Sequence, residues 1–248
     1  QNLITETYEE WETFFGMKEK QKKVFQPPAG SQDGYFPPKS ENAKDHPMKD
    51  LKEFYHYYMW DNNHPNFLQS TKPLVEGLQD LSFILLEMIQ QGTPDEVRKR
   101  FSEPLPDMAK ISNKTLFRII HYPPLGEFGL DSQQGAVRAA EHEDINLITL
   151  LPAAMGAGLQ AKDIDGNWHD VKADPDTIVI NVGDMLQEAS GGYYKSTPHR
   201  VVNPQGPEAL KSRYSMPLFV HPYDDVVLSS KYTAKSYLNE RLRELGII

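Results

Sequence analysis

The sequence contains no cysteine. That excludes disulfide cross-links, thiolate metal sites and a cysteine nucleophile, and it suits a chain working in the reducing cytoplasm. No apolar run approaches the roughly 20 residues that a membrane-spanning helix needs. The opening residues, Gln1 to Glu6, offer neither a basic n-region nor an apolar h-region, so no signal peptide is expected there. Positive charge is in deficit as well, with 26 Lys and Arg against 35 Asp and Glu, a net charge of −9. Binders of phosphate backbones present basic faces, so nucleic acid is not an expected partner, and neither is a membrane. Internal repeats, low-complexity tracts and linkers are missing too. At 248 residues the chain suits a single domain with a sizeable core.

The first part of the chain has a helical pattern. Leu3, Ile4, Tyr8, Trp11, Phe14 and Phe15 recur at helical spacing, which predicts a helix over Leu3 to Lys23. A loop rich in Pro, Gly and Ser follows from Pro27 to Pro47. Leu51 to Trp60 is aromatic and reads as a strand or short helix, with a turn over Asp61 to Pro65. Thr71 to Gly92 is the clearest helix: Pro73 fits its first turn and Gly92 its stop. Leu74, Leu78, Leu81, Leu85, Met88 and Ile89 form its apolar face. Thr93-Pro94-Asp95-Glu96 reads as an N-cap and capping box opening another helix.

From Leu116 the period changes to that of strands. Phe117 to Tyr122 is one, ended by Pro123-Pro124. Gly126 to Arg138 is a polar loop, and Ile145 to Leu150 is a strand rich in β-branched residues. Leu159 to Asp163 and Trp168 to Lys172 flank Asp165-Gly166-Asn167, a hairpin signal. Ile178 to Val182, Val201-Val202 and Arg213 to Val220 are further strands, and Gly183 with Asp184 shapes a turn. Ala234 to Leu245 is an amphipathic closing helix. The fold class is therefore mainly β with flanking helices. Residues 1–115 are mostly helical support, 116–228 an antiparallel barrel or jelly roll, and 233–248 the closing helix.

His142-Glu143-Asp144 precedes the apolar run Ile145 to Leu151. In an extended strand residues two apart share a face, so His142 and Asp144 project together and Glu143 points away. His199, in Ser196-Thr197-Pro198-His199-Arg200-Val201, would add a second imidazole from a distant strand. Two imidazoles and one carboxylate leave metal positions open and suit Fe(II), as well as Mn, Co or Zn. The helical H-E-x-x-H pattern of many zinc hydrolases is absent, which favours iron. Arg213 and Ser215, again two apart, present a guanidinium fork and a hydroxyl to a carboxylate. The bland alternatives are a histidine beside acids on a surface loop and an arginine in a surface ion pair.

These elements, in this order, with Tyr122-Pro123-Pro124 upstream and the two histidines 57 residues apart, resemble the isopenicillin N synthase-like branch of the Fe(II)/2-oxoglutarate oxygenases. The likeness runs from about Phe117 to Val227 and more weakly over Leu3 to Tyr35. The strand and helix with which that family opens do not precede Leu3 here. The resemblance implies a double-stranded β-helix core of the jelly-roll or cupin type. It makes His142, Asp144 and His199 the metal ligands and catalytic centre, and gives Arg213, Ser215 and Tyr122 the far carboxylate of 2-oxoglutarate. The implied cofactors are Fe(II), 2-oxoglutarate and O2, with ascorbate as an accessory reductant. The implied reaction hydroxylates, desaturates or cyclises a small-molecule substrate of secondary metabolism, releasing succinate and CO2.

Alternatives remain open. An oxidase of the isopenicillin N synthase type, independent of 2-oxoglutarate, would use Arg213 and Ser215 to hold the substrate's own carboxylate. A non-catalytic binding barrel and a zinc hydrolase rank lower. Plant members of the family often carry Asn where Ile120 stands, so one polar contact to the co-substrate is missing, with Arg118 close by in sequence. Tyr35, Leu147, Met185 and Phe219 are expected to wall the substrate pocket, although Tyr35 would also suit packing on the barrel. Tyr193 and Tyr194 are candidates for either the pocket or the rim. Arg118, Arg138 and Lys195 leave room for a carboxylate-bearing substrate.

Overall fold

The computed structural model describes residues 2–38, 40, 52–61, 63–124, 138–153, 155–172, 174, 177–203 and 206–246. Most of the two loops expected before Pro47 and from Gly126 lies outside them. Helix α1 (Asn2–Phe15) buries Tyr8, Trp11, Phe14 and Phe15 on one face. The helix expected to run on to Lys23 breaks at Gly16 and resumes as α2 (Glu19–Lys22) and a 3-10 turn (Lys23–Phe25). The break lets Lys22 turn inward, where its ammonium donates to the Phe15 carbonyl at 3.0 Å and pairs with Glu53 at 2.6 Å.

The aromatic stretch after the first loop is a strand, β2 (Glu53–Tyr57), paired with β1 (Gly34–Phe36). Helix α3 (Thr71–Gly92) has the predicted limits, and of its predicted apolar face Leu74 and Leu78 are buried while Leu81, Leu85 and Ile89 pack against the core. Leu74, Val75, Leu78, Ser82 and Leu86 are buried, whereas Met88 is 62% exposed. Two short helices follow, α4 (Asp95–Arg98) and α5 (Leu105–Lys110). Thr93 does not cap α4; its hydroxyl donates instead to the Ile89 carbonyl at the end of α3, at 2.6 Å.

Strand β3 (Leu116–Tyr122) pairs with β2, which brings β1 and β2 of the first 115 residues into the sheet, and β4 (Ala139–His142) follows. The strand expected over Ile145 to Leu150 begins later, as β5 (Ile148–Pro152). Residues 145–147 bend because their backbone is used elsewhere: the amides of Asp184, Met185 and Gly183 bond the carbonyls of Asp144, Asn146 and Leu147 at 2.9, 3.1 and 3.0 Å. The hairpin is β6 (Leu159–Lys162) and β7 (Trp168–Asp170), with Gly166 at φ 87° in its turn. Strand β8 (Ile178–Val182) leads into a short helix, α6 (Asp184–Ala189), where a bare turn was expected. β9 spans His199–Val201. The last predicted strand is two, β10 (Arg213–Ser215) and β11 (Leu218–Val220), because Pro217 has no amide for the ladder. Helix α7 (Ala234–Glu244) closes the chain, capped by Thr233.

The strands pair antiparallel in two sheets. One runs β1-β2-β3-β11-β5-β8 with β10 also on β3, and the other runs β4-β9-β6-β7. Together they form the jelly-roll core. The main apolar core lies on the outer side of the larger sheet, where Phe117, Ile119, Leu150 and Leu218 pack against α1, α3 and α5. The opposite face of that sheet turns to the smaller sheet and leaves a cavity between them.

Candidate metal and co-substrate site

Side-chain alternation decides what reaches this cavity. From the larger sheet come Ile120 and Tyr122 of β3, Thr149 and Leu151 of β5, Asn181 of β8, and Arg213 and Ser215 of β10. From the smaller sheet come His142 of β4, Ala161 of β6 and His199 of β9. Pairing between β4 and β9 sets His142 opposite His199, with ring centroids 4.3 Å apart. Asp144 lies just beyond β4, and one donor atom from each of these three residues falls within 4.8 Å of the others. Glu143 is exposed and outside the group.

The hydrogen bonds around the three residues fix which atoms face inward. Nδ1 of His142 lies 2.8 Å from the Ala140 carbonyl, and Nδ1 of His199 lies 2.9 Å from the Thr197 carbonyl. A carbonyl only accepts, so each Nδ1 carries the proton and each Nε2 keeps its lone pair for a metal. Oδ2 of Asp144 accepts from the Thr149 hydroxyl at 2.6 Å and from the Asn181 amide at 2.8 Å. Asn146 in turn donates to Thr149 at 2.8 Å, which commits the Thr149 proton to Asp144. Oδ1 is left toward the imidazoles, 3.6 Å from Nε2 of His199.

The charges agree with a metal site. Burial alone would raise the Asp144 carboxyl, but His199 and His142 with the Thr149 and Asn181 hydrogen bonds outweigh it and hold it below the usual range. His142 keeps an exposed edge, yet the protein packed around its ring and the neighbouring His199 push it down to about 4, so it is neutral at working pH. Neutral imidazoles and an ionised carboxylate are the forms that bind a divalent ion.

Arg213 stands across β3 from Tyr122 and Ser215 stands across from Ile120. The arginine is 2% exposed, and its Nε and Nη1 have no hydrogen-bond partner among the described residues. Burial lowers its pKa, but an arginine stays charged at working pH. A buried guanidinium with unmet donors, on the wall of the cavity that holds the two imidazoles and Asp144, fits a ligand carboxylate. Gly156, at φ 110°, lies against the Arg213 stem; a Cβ there would sit 3.4 Å from its Cγ.

Phe219 lines the cavity, paired across the sheet with Thr149. The other three residues expected on the substrate wall do not. Tyr35 is fully buried and donates to Glu53 at 2.5 Å, while Leu147 and Met185 pack in the main core. Tyr194 bonds the Ile89 carbonyl at 3.2 Å, and Tyr193 and Lys195 are exposed outside the cavity. Sequence reasoning missed Thr149, Asn181 and Asn146. The available signal was a polar residue on the inward side of an otherwise apolar strand.

Residues 113–222 match the family described as the 2OG-Fe(II) oxygenase superfamily. The whole chain superposes on a candidate oxygenase from Shewanella oneidensis with a TM-score of 0.86 and 49% identity, covering 87% of that chain. A candidate 2OG-Fe(II) oxygenase family protein from Caulobacter crescentus gives a TM-score of 0.76 and 29% identity over 98% of this chain and 86% of its own. Gibberellin 2-beta-dioxygenase of Phaseolus coccineus is 32% identical over 65% of this chain and 46% of its own length. The chain thus spans about half the length of the curated relatives it matches. Given the near-complete likeness to the Shewanella oxygenase and the matched segment that carries the cavity, this chain belongs to the 2OG-Fe(II) oxygenase superfamily.

Proposed function

We propose that the chain is an Fe(II)- and 2-oxoglutarate-dependent dioxygenase that hydroxylates, desaturates or cyclises a small molecule. The observation that carries this reading is Arg213, a buried guanidinium with unmet donors on the wall that it shares with His142, Asp144 and His199. Bound there, Fe(II), 2-oxoglutarate and O2 supply the oxidising chemistry, with release of succinate and CO2 and with ascorbate as accessory reductant. The chain's own residues bind and orient. His142 and His199 offer Nε2 and Asp144 offers Oδ1 to the metal; Arg213, Ser215 and Tyr122 take the far carboxylate of the co-substrate.

The remaining wall is apolar, with Leu159, Val171, Val179, Val201 and Phe219, and it excludes water from a small, largely carbon-built substrate. Lys52 and Arg118 add positive charge to the same wall, which suits a substrate bearing an acidic group. Relatives named as gibberellin dioxygenases support a small-molecule substrate. The cysteine-free composition supports the cytoplasm as its compartment.

The test is an anaerobic visible spectrum of the Fe(II)-loaded protein. A weak metal-to-ligand charge-transfer band on adding 2-oxoglutarate, lost in His199→Ala, is the expected result. Bound iron without the band would favour the oxidase that dispenses with 2-oxoglutarate. Full iron binding by His199→Ala would sink the assignment of the ligands.

A further inference from the structure

Two guanidinium groups lie against one phenol ring. The guanidinium carbon of Arg213 is 5.3 Å from the Tyr122 ring centroid and that of Arg138 is 5.9 Å. Both arginines are 2% exposed. Arg138 immediately precedes β4 and donates from Nη2 to the Lys211 carbonyl at 3.2 Å, two residues ahead of Arg213. Its Nε has no hydrogen-bond partner among the described residues, and neither arginine makes an ion pair among them.

Buried cations are normally matched by an anion, because an unpaired one loses its hydration with no return. Here two are buried side by side. Burial first, and then the repulsion of Arg213, push Arg138 down to about 10, which still leaves it charged at working pH. With no anion paired to either among the described residues, the two charges disfavour one another and together favour an arriving anion. The cavity wall beside Arg138 is formed by Tyr122 and Ala139, so Arg138 does not itself touch the cavity.

We infer that Arg138 is a positioning residue for the dicarboxylate co-substrate, adding its charge from behind Tyr122 to that of Arg213 and holding the segment that leads into β10. This rests on the reading of Arg213 as the site of the far carboxylate. Each guanidinium lies within 6 Å of one centroid, so the two are at most about 12 Å apart; a unit charge at that range, with an effective dielectric of about 20, changes the binding of a monoanionic group roughly tenfold.

The experiment is calorimetric binding to the Mn(II)-loaded protein, using 2-oxoglutarate and 2-oxopentanoate, which has a methyl in place of the far carboxylate. Arg138→Gln removes the charge and is too short to keep the bond to the Lys211 carbonyl, whereas Arg138→Lys keeps the charge. The expected result is about tenfold weaker 2-oxoglutarate binding in Arg138→Gln, unchanged 2-oxopentanoate binding, and recovery in Arg138→Lys. The melting temperature of ligand-free Arg138→Gln should equal or exceed that of the parent, with a smaller rise on adding 2-oxoglutarate. Arg138→Met, which fills part of the arginine's volume without charge, replaces Arg138→Gln if the latter does not fold. Equal loss for both ligands, or no loss for either, overturns the inference while leaving the site reading intact. A parent protein that binds metal but no 2-oxoglutarate overturns both.

Discussion

Replacing Asn181 with leucine removes one hydrogen bond from the carboxylate that faces the metal and changes little else. Asn181 and Thr149 both donate to Oδ2 of Asp144, at 2.8 and 2.6 Å, and are paired across β5 and β8. Leucine fills a similar volume without a donor. A hydrogen bond to a charged acceptor is worth about 1.5–3 kcal/mol, and loss of such a partner to a metal ligand typically weakens metal binding roughly 10- to 100-fold. The Asp144 carboxyl should bind its proton more readily, because one of the groups holding it low has gone. The assay is anaerobic titration with Fe(II), or with Mn(II) as a redox-silent substitute, alongside the melting temperature of the metal-free protein. Thr149→Val should act in the same direction, and the pair should lose less than the sum of the two, because both hold one oxygen. A folded Asn181→Leu protein that binds metal as tightly as the parent would refute this account of how Asp144 is oriented.

Arg213→Lys should keep iron but lose about one charge-assisted hydrogen bond to the co-substrate, a ten- to hundredfold rise in its dissociation constant. An unchanged 2-oxoglutarate dependence would remove Arg213 from that role. Gly183→Ala should destabilise the fold by at least about 1–3 kcal/mol and weaken metal binding. Its Cβ would fall 2.1 Å from Oδ1 and 2.3 Å from the carbonyl oxygen of Asn146, the residue that steers Thr149; an unchanged melting temperature would show that the loop yields freely. Burial pushes half-buried His221 down to about 4, against the Phe219 carbonyl that favours its charged form. The unfolded chain binds that proton more tightly, so stability is complete above about 6.5 and falls by up to roughly 3 kcal/mol as pH drops to about 4. His221→Phe should flatten this acid limb, and parallel melting curves for the two proteins would contradict it.

The sequence made the periodic elements legible and left the irregular ones hidden. Helix α3 was readable to its limits, since Pro73, the apolar spacing and Gly92 all agree, and its inner face was readable apart from Met88, which is exposed, and Val75, Ser82 and Leu86, which are buried beside the predicted stripe. Strand β4 gave no signal in Ala139-Ala140-Glu141, and it exists because β9 pairs with it. Helix α6 was hidden by Gly183, whose need is close approach to Asn146. The expected apolar wall failed in three of four positions. Apolarity says that Leu147, Met185 and Tyr35 are buried but not against what: Leu147 lies in the bend before β5 and Met185 on α6, both in the main core, and on β11 only register separates Phe219, facing the cavity, from Leu218, facing the core.

The two parts of the site belong to different sheets. His142 and His199 ride on β4 and β9 of the smaller sheet, whereas Arg213 and Ser215 ride on β10 of the larger one. Asp144 sits in the link between them, with its backbone tied to α6 and its Oδ2 tied to β5 and β8. A short apolar chain with a metal-binding end and a carboxylate end would therefore join the two sheets through the cavity. The hydrogen bonds around Asp144 should therefore matter alongside the candidate ligands. Among the described residues, Asp144 is the one member of the candidate triad whose side-chain supports come from the sheet that also carries Arg213, so its orientation would set where a bound metal stands relative to the guanidinium.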